Sequence, residues 1–98
     1  MILEIADITI VAGKNAEFDV AIERGVREAI SSAKGFISFK IQKGIENPNR
    51  YLLMIQWATL DNHIVDFRTS PNFLKWREIV SPFFAGPPVV EHFQLLTE

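Results

Sequence analysis

The chain has 98 residues, a net charge of −2 and no cysteine. Its length suits one domain. The charge argues against a nucleic-acid partner, which needs a clustered basic face, and the lack of thiols excludes disulfide, thiolate and zinc–cysteine chemistry. Hydrophobic residues make up 48% of the sequence. A domain this small buries only about 60–65% of its unfolded surface, so the excess apolar area points to an interface.

Residues 2–12 read as the first strand, rich in β-branched residues. Alternation places Leu3, Ile5, Asp7, Thr9 and Val11 on one face and Ile2, Glu4, Ala6, Ile8 and Ile10 on the other. The acidic Glu4 and Asp7 and the absence of a basic leader argue for a strand over a signal peptide. No run approaches the roughly 18 apolar residues of a membrane span, so no membrane partner is expected, and the lack of cysteine fits a cytoplasmic setting. Gly13-Lys14-Asn15 is a turn with Asn15 as the expected N-cap. A helix over 16–33 follows, with Phe18, Ile22, Val26, Ala29 and Ala33 forming its buried stripe. Gly25 adds a close-approach point on that side, and Gly35 stands where a left-handed residue closes a helix.

Strands are predicted over 36–44 and 51–58, joined by the turn cluster Glu46-Asn47-Pro48-Asn49 as an antiparallel hairpin. The second of these is apolar on both faces and so should be covered on both sides. Thr59 caps a helix over about 60–69 with Leu60, Ile64 and Phe67 inward. Ser70-Pro71 restarts it over 71–81, burying Phe73, Trp76 and Val80 until Pro82 ends it. Gly86-Pro87-Pro88 breaks the chain before a last strand over 89–96.

The order β-α-β-β-α-β predicts an α+β, ferredoxin-like fold: a four-stranded antiparallel sheet with two helices on one face. The uncovered face is expected to carry Ile8, Ile10, Leu52 and Met54, and to be closed by a second copy, giving a homodimer.

Phe67, Phe73, Trp76, Phe83 and Phe84, with Arg68 and Arg77 among them, concentrate rings in one short stretch. Phe67, Phe73 and Trp76 read as core that also walls a pocket for a small apolar or aromatic ligand. Asp7 lies mid-strand among isoleucines. It is either a general base on the pocket floor or a sheet-face carboxylate paired with a nearby Arg or Lys. His63 is a candidate base, and His92 a candidate pocket residue that alternation allows on either face. Arg77 is either a clamp for a carboxylate or enolate or half of an ion pair. The two histidines lack metal-ligand spacing, so no metal is expected, and no nucleophile motif or phosphate loop is present.

The element order, the strand ending in Trp57, the Ser70-Pro71 restart, Phe73-x-x-Trp76-Arg77 and the Pro-Pro-Val-Val-Glu-His-Phe run at 87–93 resemble the antibiotic biosynthesis monooxygenase (ABM) family. That resemblance spans nearly the whole chain. It implies a dimeric α+β barrel with a pocket between helices and sheet in each subunit. It also implies oxygenation of a phenolic, polyketide-like substrate with no metal or flavin, in an apolar pocket with a base and oxyanion donors; the residues read above supply Asp7, His63 and Arg77 as the candidate catalytic set beside the substrate-binding Phe67, Phe73, Trp76 and His92. A haem-degrading branch of the family uses an Asn, a Trp and a ligating His. The corresponding positions here are Asp7, Phe67 and Arg77, so no haem ligand is implied.

Overall fold

The computed structural model describes all residues 1–98. Four strands, β1 (Ile2–Thr9), β2 (Phe36–Lys43), β3 (Arg50–Trp57) and β4 (Val89–Gln94), form one antiparallel sheet in the order β2-β3-β1-β4. The largely hydrophobic β1 and β3 occupy the centre, hydrogen-bonded on both edges. The predicted ferredoxin-like arrangement is the observed one.

The register fixes which face meets the helices. Glu4 pairs with Ile55, Ala6 with Leu53 and Ile8 with Tyr51. All six are buried, so this face of β1 joins the large side chains of β3 beneath the helices. This corrects the expected placing of Ile8 and Ile10, which are 1% and 2% exposed in the core rather than on the open face. The opposite face carries Leu3, Ile5, Leu52 and Met54, flanked by the exposed Val89 and Phe93 of β4. Leu52 and Met54 therefore lie as expected, with Leu3 and Ile5 beside them in place of the two isoleucines.

The first helix, α1 (Asn15–Gly25), buries Phe18, Ala21 and Ile22, then widens into a π-turn over Val26–Ile30 closed by a Ser31 N–H to Val26 carbonyl bond of 2.8 Å. It is shorter than predicted. The extra residue in the wide turn keeps Val26, Ala29 and Ile30 all facing the core where a uniform stripe would rotate away. Asn15 is the first helical residue rather than the cap, and its amide instead donates to the Pro48 carbonyl and the Tyr51 hydroxyl, tying α1 to the β2–β3 turn.

The second helical region is built in pieces. Thr59 and Asn62 cap its start reciprocally: the Thr59 hydroxyl accepts from the Asn62 N–H at 3.2 Å, and the Asn62 side-chain oxygen accepts from the Thr59 N–H at 3.1 Å. A π-helical segment, Asn62–Phe67, follows, then Ser70-Pro71 restarts the chain as α2 (Pro71–Val80). Pro71 sits at the first turn as predicted. The Ser70 hydroxyl turns back to the Phe67 carbonyl at 2.6 Å and makes no cap bond, so the bend is held by its extended backbone and the proline ring. Pro82 falls in a 3-10 turn, Ser81–Phe83, that ends the helix. No helix is long and apolar enough to cross a membrane.

Gly35 closes the link into β2 with φ +82°. A Cβ there would lie 2.0 Å from the Asn62 side-chain oxygen, so the position needs glycine for space as well as for its dihedral. Gly35→Ala should therefore cost more than about 1 kcal/mol. A urea titration would show it as a lower midpoint at unchanged slope; an unaltered midpoint would mean the Asn62 cap relaxes freely.

Candidate active site

A cavity of about 360 Å³ opens between the helices and the sheet. β1 supplies Glu4, Ala6 and Ile8 to its floor, the π segment supplies His63 and Phe67, and α2 supplies Phe73, Trp76 and Arg77. Two sequence features open this space. The Ser70-Pro71 bend sets α2 apart from the π segment, and Gly25 lets the Trp76 ring lie against α1, where a Cβ would stand 2.9 Å from two ring atoms.

The polar heart of the cavity is a buried carboxyl. Glu4 is 5% exposed and accepts the Trp57 indole N–H at 2.8 Å. Nε2 of His63, itself 4% exposed, lies 3.4 Å from the same carboxyl oxygen. The His63 ring is stacked on Trp57 with centroids 5.2 Å apart and planes 18° from parallel. Its other nitrogen, Nδ1, is hydrogen-bonded to Nε2 of His92 at 2.8 Å. His92 is only half-buried, so the three groups form a polar line from the cavity floor toward solvent.

Burial sets their protonation. It raises the Glu4 carboxyl from 4.5 to about 7, against the opposing pull of the Trp57 hydrogen bond and the Arg68 charge. It lowers His63 from 6.5 to about 4, assisted by the charges of Arg68 and His92. His92 is lowered as well, by burial and then by Arg68. The Glu4–His63 separation is within ion-pair range, but desolvation disfavours both charges, and we read the imidazole as neutral near neutral pH. The His63–His92 hydrogen bond can run in either direction, each with a matching tautomer of the two rings.

The residues singled out by sequence divide into three groups. His63, Phe67, Phe73, Trp76 and Arg77 line the cavity. His92 is on the same side but behind His63, and does not line it. Asp7 is elsewhere. It lies on the opposite face of β1 from Glu4 and is held by the Arg50 guanidinium, with a shortest contact of 2.7 Å. The Arg50 hydrogen bond also keeps its carboxyl below the usual range. It therefore cannot be a base on this floor, and the sheet-face pairing is the reading that matches its position. Arg77 has no carboxylate partner in the chain. Its guanidinium stands 6.0 Å from the centre of the Phe73 ring. Sequence reasoning missed Glu4 as a site residue. The available signal was a carboxylate on the same strand face as Ala6, Ile8 and Ile10, where only a cavity or a strong donor makes it tolerable. No three His, Asp or Glu side chains converge as metal ligands.

Comparison with known proteins gives a consistent picture. Residues 1–79 match the family profile described as antibiotic biosynthesis monooxygenase (ABM). The chain is 36% identical over 94 residues to YczJ of Bacillus subtilis (strain 168), covering 96% of this chain and 98% of that protein. A crystal structure from Bordetella bronchiseptica, named for the same family, superposes with TM-score 0.92 at 38% identity, covering 98% of this chain and 97% of that one. SnoaB of Streptomyces nogalater, a cofactor-independent oxygenase, superposes with TM-score 0.83 over 99% of this chain and 94% of its own, and at 16% identity shares the fold. The family resemblance drawn from the sequence thus holds.

The pKa shifts fix a pH dependence of stability. Glu4 binds its proton more tightly in the folded state, so its contribution is complete below 4.5 and lost as pH rises through about 7. His63 binds its proton less tightly when folded, so its contribution is present above 6.5 and lost as pH falls through about 4. Together they place a stability maximum at about pH 5–6. Urea midpoints across pH should show it, and Glu4→Gln should abolish the decline on the alkaline side.

Proposed function

This chain belongs to the antibiotic biosynthesis monooxygenase family, and we propose that it oxygenates a small aromatic, polyketide-like substrate in the cavity between helices and sheet, with O₂ and no bound cofactor. The observation that carries the reading is the buried Glu4 carboxyl facing an apolar cavity, with His63 and His92 leading away from it. A base poised near neutral pH is what proton abstraction from an activated ring requires. With its carboxyl at about 7, Glu4 is substantially ionised at neutral pH yet basic enough to accept a proton.

The steps balance without a further reductant. Glu4 takes a proton from an acidic ring methylene or phenol. The resulting anion gives one electron to O₂, the radical pair forms a C–O bond, and the peroxide loses water to leave a carbonyl. Overall, CH₂ and O₂ become C=O and H₂O. Glu4 returns its proton to the peroxide anion, so that water leaves and the base is reset, while the neighbouring His63 stays neutral. Phe67, Phe73 and Trp76 hold the ring and exclude water, which strengthens every charge interaction inside. Arg77 stands at the rim as a fixed cation for developing negative charge.

Oxygen uptake with an anthrone as substrate tests this. Wild type should turn over with a pH–rate midpoint near 7 set by Glu4. Glu4→Gln should lower kcat by about 10²–10⁴, and Asp7→Asn, on the opposite face, should leave it unchanged. Absence of uptake with the anthrone still bound would make the cavity a binding site and not a catalytic one.

The assembly belongs to the same reading. Leu3, Ile5, Leu52 and Met54 form a central apolar patch on the uncovered sheet face, extended by Val89 and Phe93. A second copy packed there makes a homodimer. Light scattering should give twice the 11.2 kDa chain mass, and Ile5→Glu should reduce it toward the single-chain value. A single-chain mass for wild type at micromolar concentration would overturn the assembly.

A further inference from the structure

Two imidazoles stand beside Glu4 and take no part in its proton transfer. His92 of β4 pairs with Glu4 across the β1–β4 ladder, so the two side chains leave the sheet as neighbours on the helix side. From above, His63 of the π segment reaches both. Its Nδ1 lies 2.8 Å from Nε2 of His92, and its Nε2 lies 3.4 Å from Oε1 of Glu4. Trp57 of β3 and the charge of Arg68 complete the polar surroundings of the carboxyl.

One member of this group has no choice of role. The Trp57 indole N–H can only donate, and it donates to Oε1 at 2.8 Å. Oε1 is therefore the accepting oxygen whether Glu4 is ionised or neutral, and a proton on the acid belongs to Oε2. Oε2 makes no hydrogen bond within the chain, yet no fully buried side-chain oxygen or nitrogen lacks a partner. Oε2 is thus open to the cavity that Glu4 lines. Nε2 of His63 faces the accepting oxygen. A bare ring nitrogen there sets lone pair against lone pair, whereas an N–H sets a dipole of favourable sign against it. A neutral imidazole protonated on Nε2 has a bare Nδ1, and a buried acceptor needs a donor. The donor in reach is Nε2 of His92.

We propose that His92 is a positioning residue: by donating from Nε2 to Nδ1 of His63 it locks His63 in the tautomer whose Nε2–H points at Glu4 and favours the carboxylate. This rests on the reading of Glu4 as the base. The donors then run one way, from His92 to His63 to Glu4, and each polarises the next. Two N–H groups support the carboxylate from Oε1, while Oε2 stays free to meet the substrate's proton. His92 does not line the cavity, so it acts only through His63. It is half-buried, and its own Nδ1 needs no partner from the chain.

Nitrogen NMR of the full chain, labelled in histidine and held at neutral pH without substrate, reads the tautomers directly. Wild type should carry the protons of His63 and His92 on Nε2. Carbon NMR of the Glu4 carboxyl gives a second readout, with a wild-type midpoint at about 7. His92→Phe removes the donor and should raise that midpoint by about half a unit or more. His92→Gln, whose amide nitrogen can take the place of Nε2, should restore it. A merely structural His92 would lower the urea midpoint in both variants and leave the Glu4 titration unmoved. A proton on Nδ1 of His63 in wild type, or a Glu4 midpoint unchanged by His92→Phe, would overturn the proposal. Both readouts are taken without substrate, so they separate from the oxygenase reading: the expected tautomers without oxygen uptake would overturn that reading and leave this assignment standing.

Discussion

Placing a carboxyl group beneath the helices of so small a domain is the constraint on which the site depends. An ionised Glu4 in that position would cost several kcal/mol if left alone. The cost is limited in two ways. The Trp57 indole donates to one oxygen, and burial shifts the group toward its protonated form. Trp57 is itself wholly buried and stacked on His63, so one side chain anchors the core, holds the carboxyl and positions the imidazole. Removing any of the three would leave the other two with an unpaired polar atom or a void.

The second constraint is geometric. A continuous helix packed flat on the sheet would fill the space above Glu4 with side chains. Here the polypeptide over that region is divided into a π segment, a bend and α2. His63 and Phe67, four residues apart, share the inward face of the π segment, and the proline ring forces the bend that follows. The cavity is thus a product of backbone irregularity, and the same stretch of chain brings Arg68 and Arg77 into its lining.

The fold was largely legible because it rests on patterns of short range. Hydrophobic alternation gave the strands, the Phe18–Ile22–Val26 stripe gave the first helix, and Ser70-Pro71 gave the break in the second. The π-turns were not legible: an inserted residue leaves no compositional mark, and the stripe through Ala29 reads as ordinary helix. Of the site, the rings and His63 were visible as a local concentration of aromatic and titratable groups. The exchange of Asp7 for Glu4 has a different origin. Alternation sorts β1 into two faces, but only pairing with β3 says which face meets the helices, and that pairing joins residues some fifty positions apart. The same ambiguity misplaced Ile8 and Ile10. His92 was undecided for the same reason, until its pairing with Glu4 put it on the helix side.

The central position of β1 has an evolutionary corollary. Its even-numbered residues from Glu4 to Ile8 face the cavity and its odd-numbered residues from Leu3 to Asp7 face outward, and both edges are locked by hydrogen bonds. Inserting or deleting one residue would exchange the two sets, driving Asp7 under the helices and turning Glu4 out. Chemistry and surface are therefore written in the same reading frame of eight residues. Lineages carrying this strand can diversify by substitution at single positions, but a change of length there would erase both properties in one event.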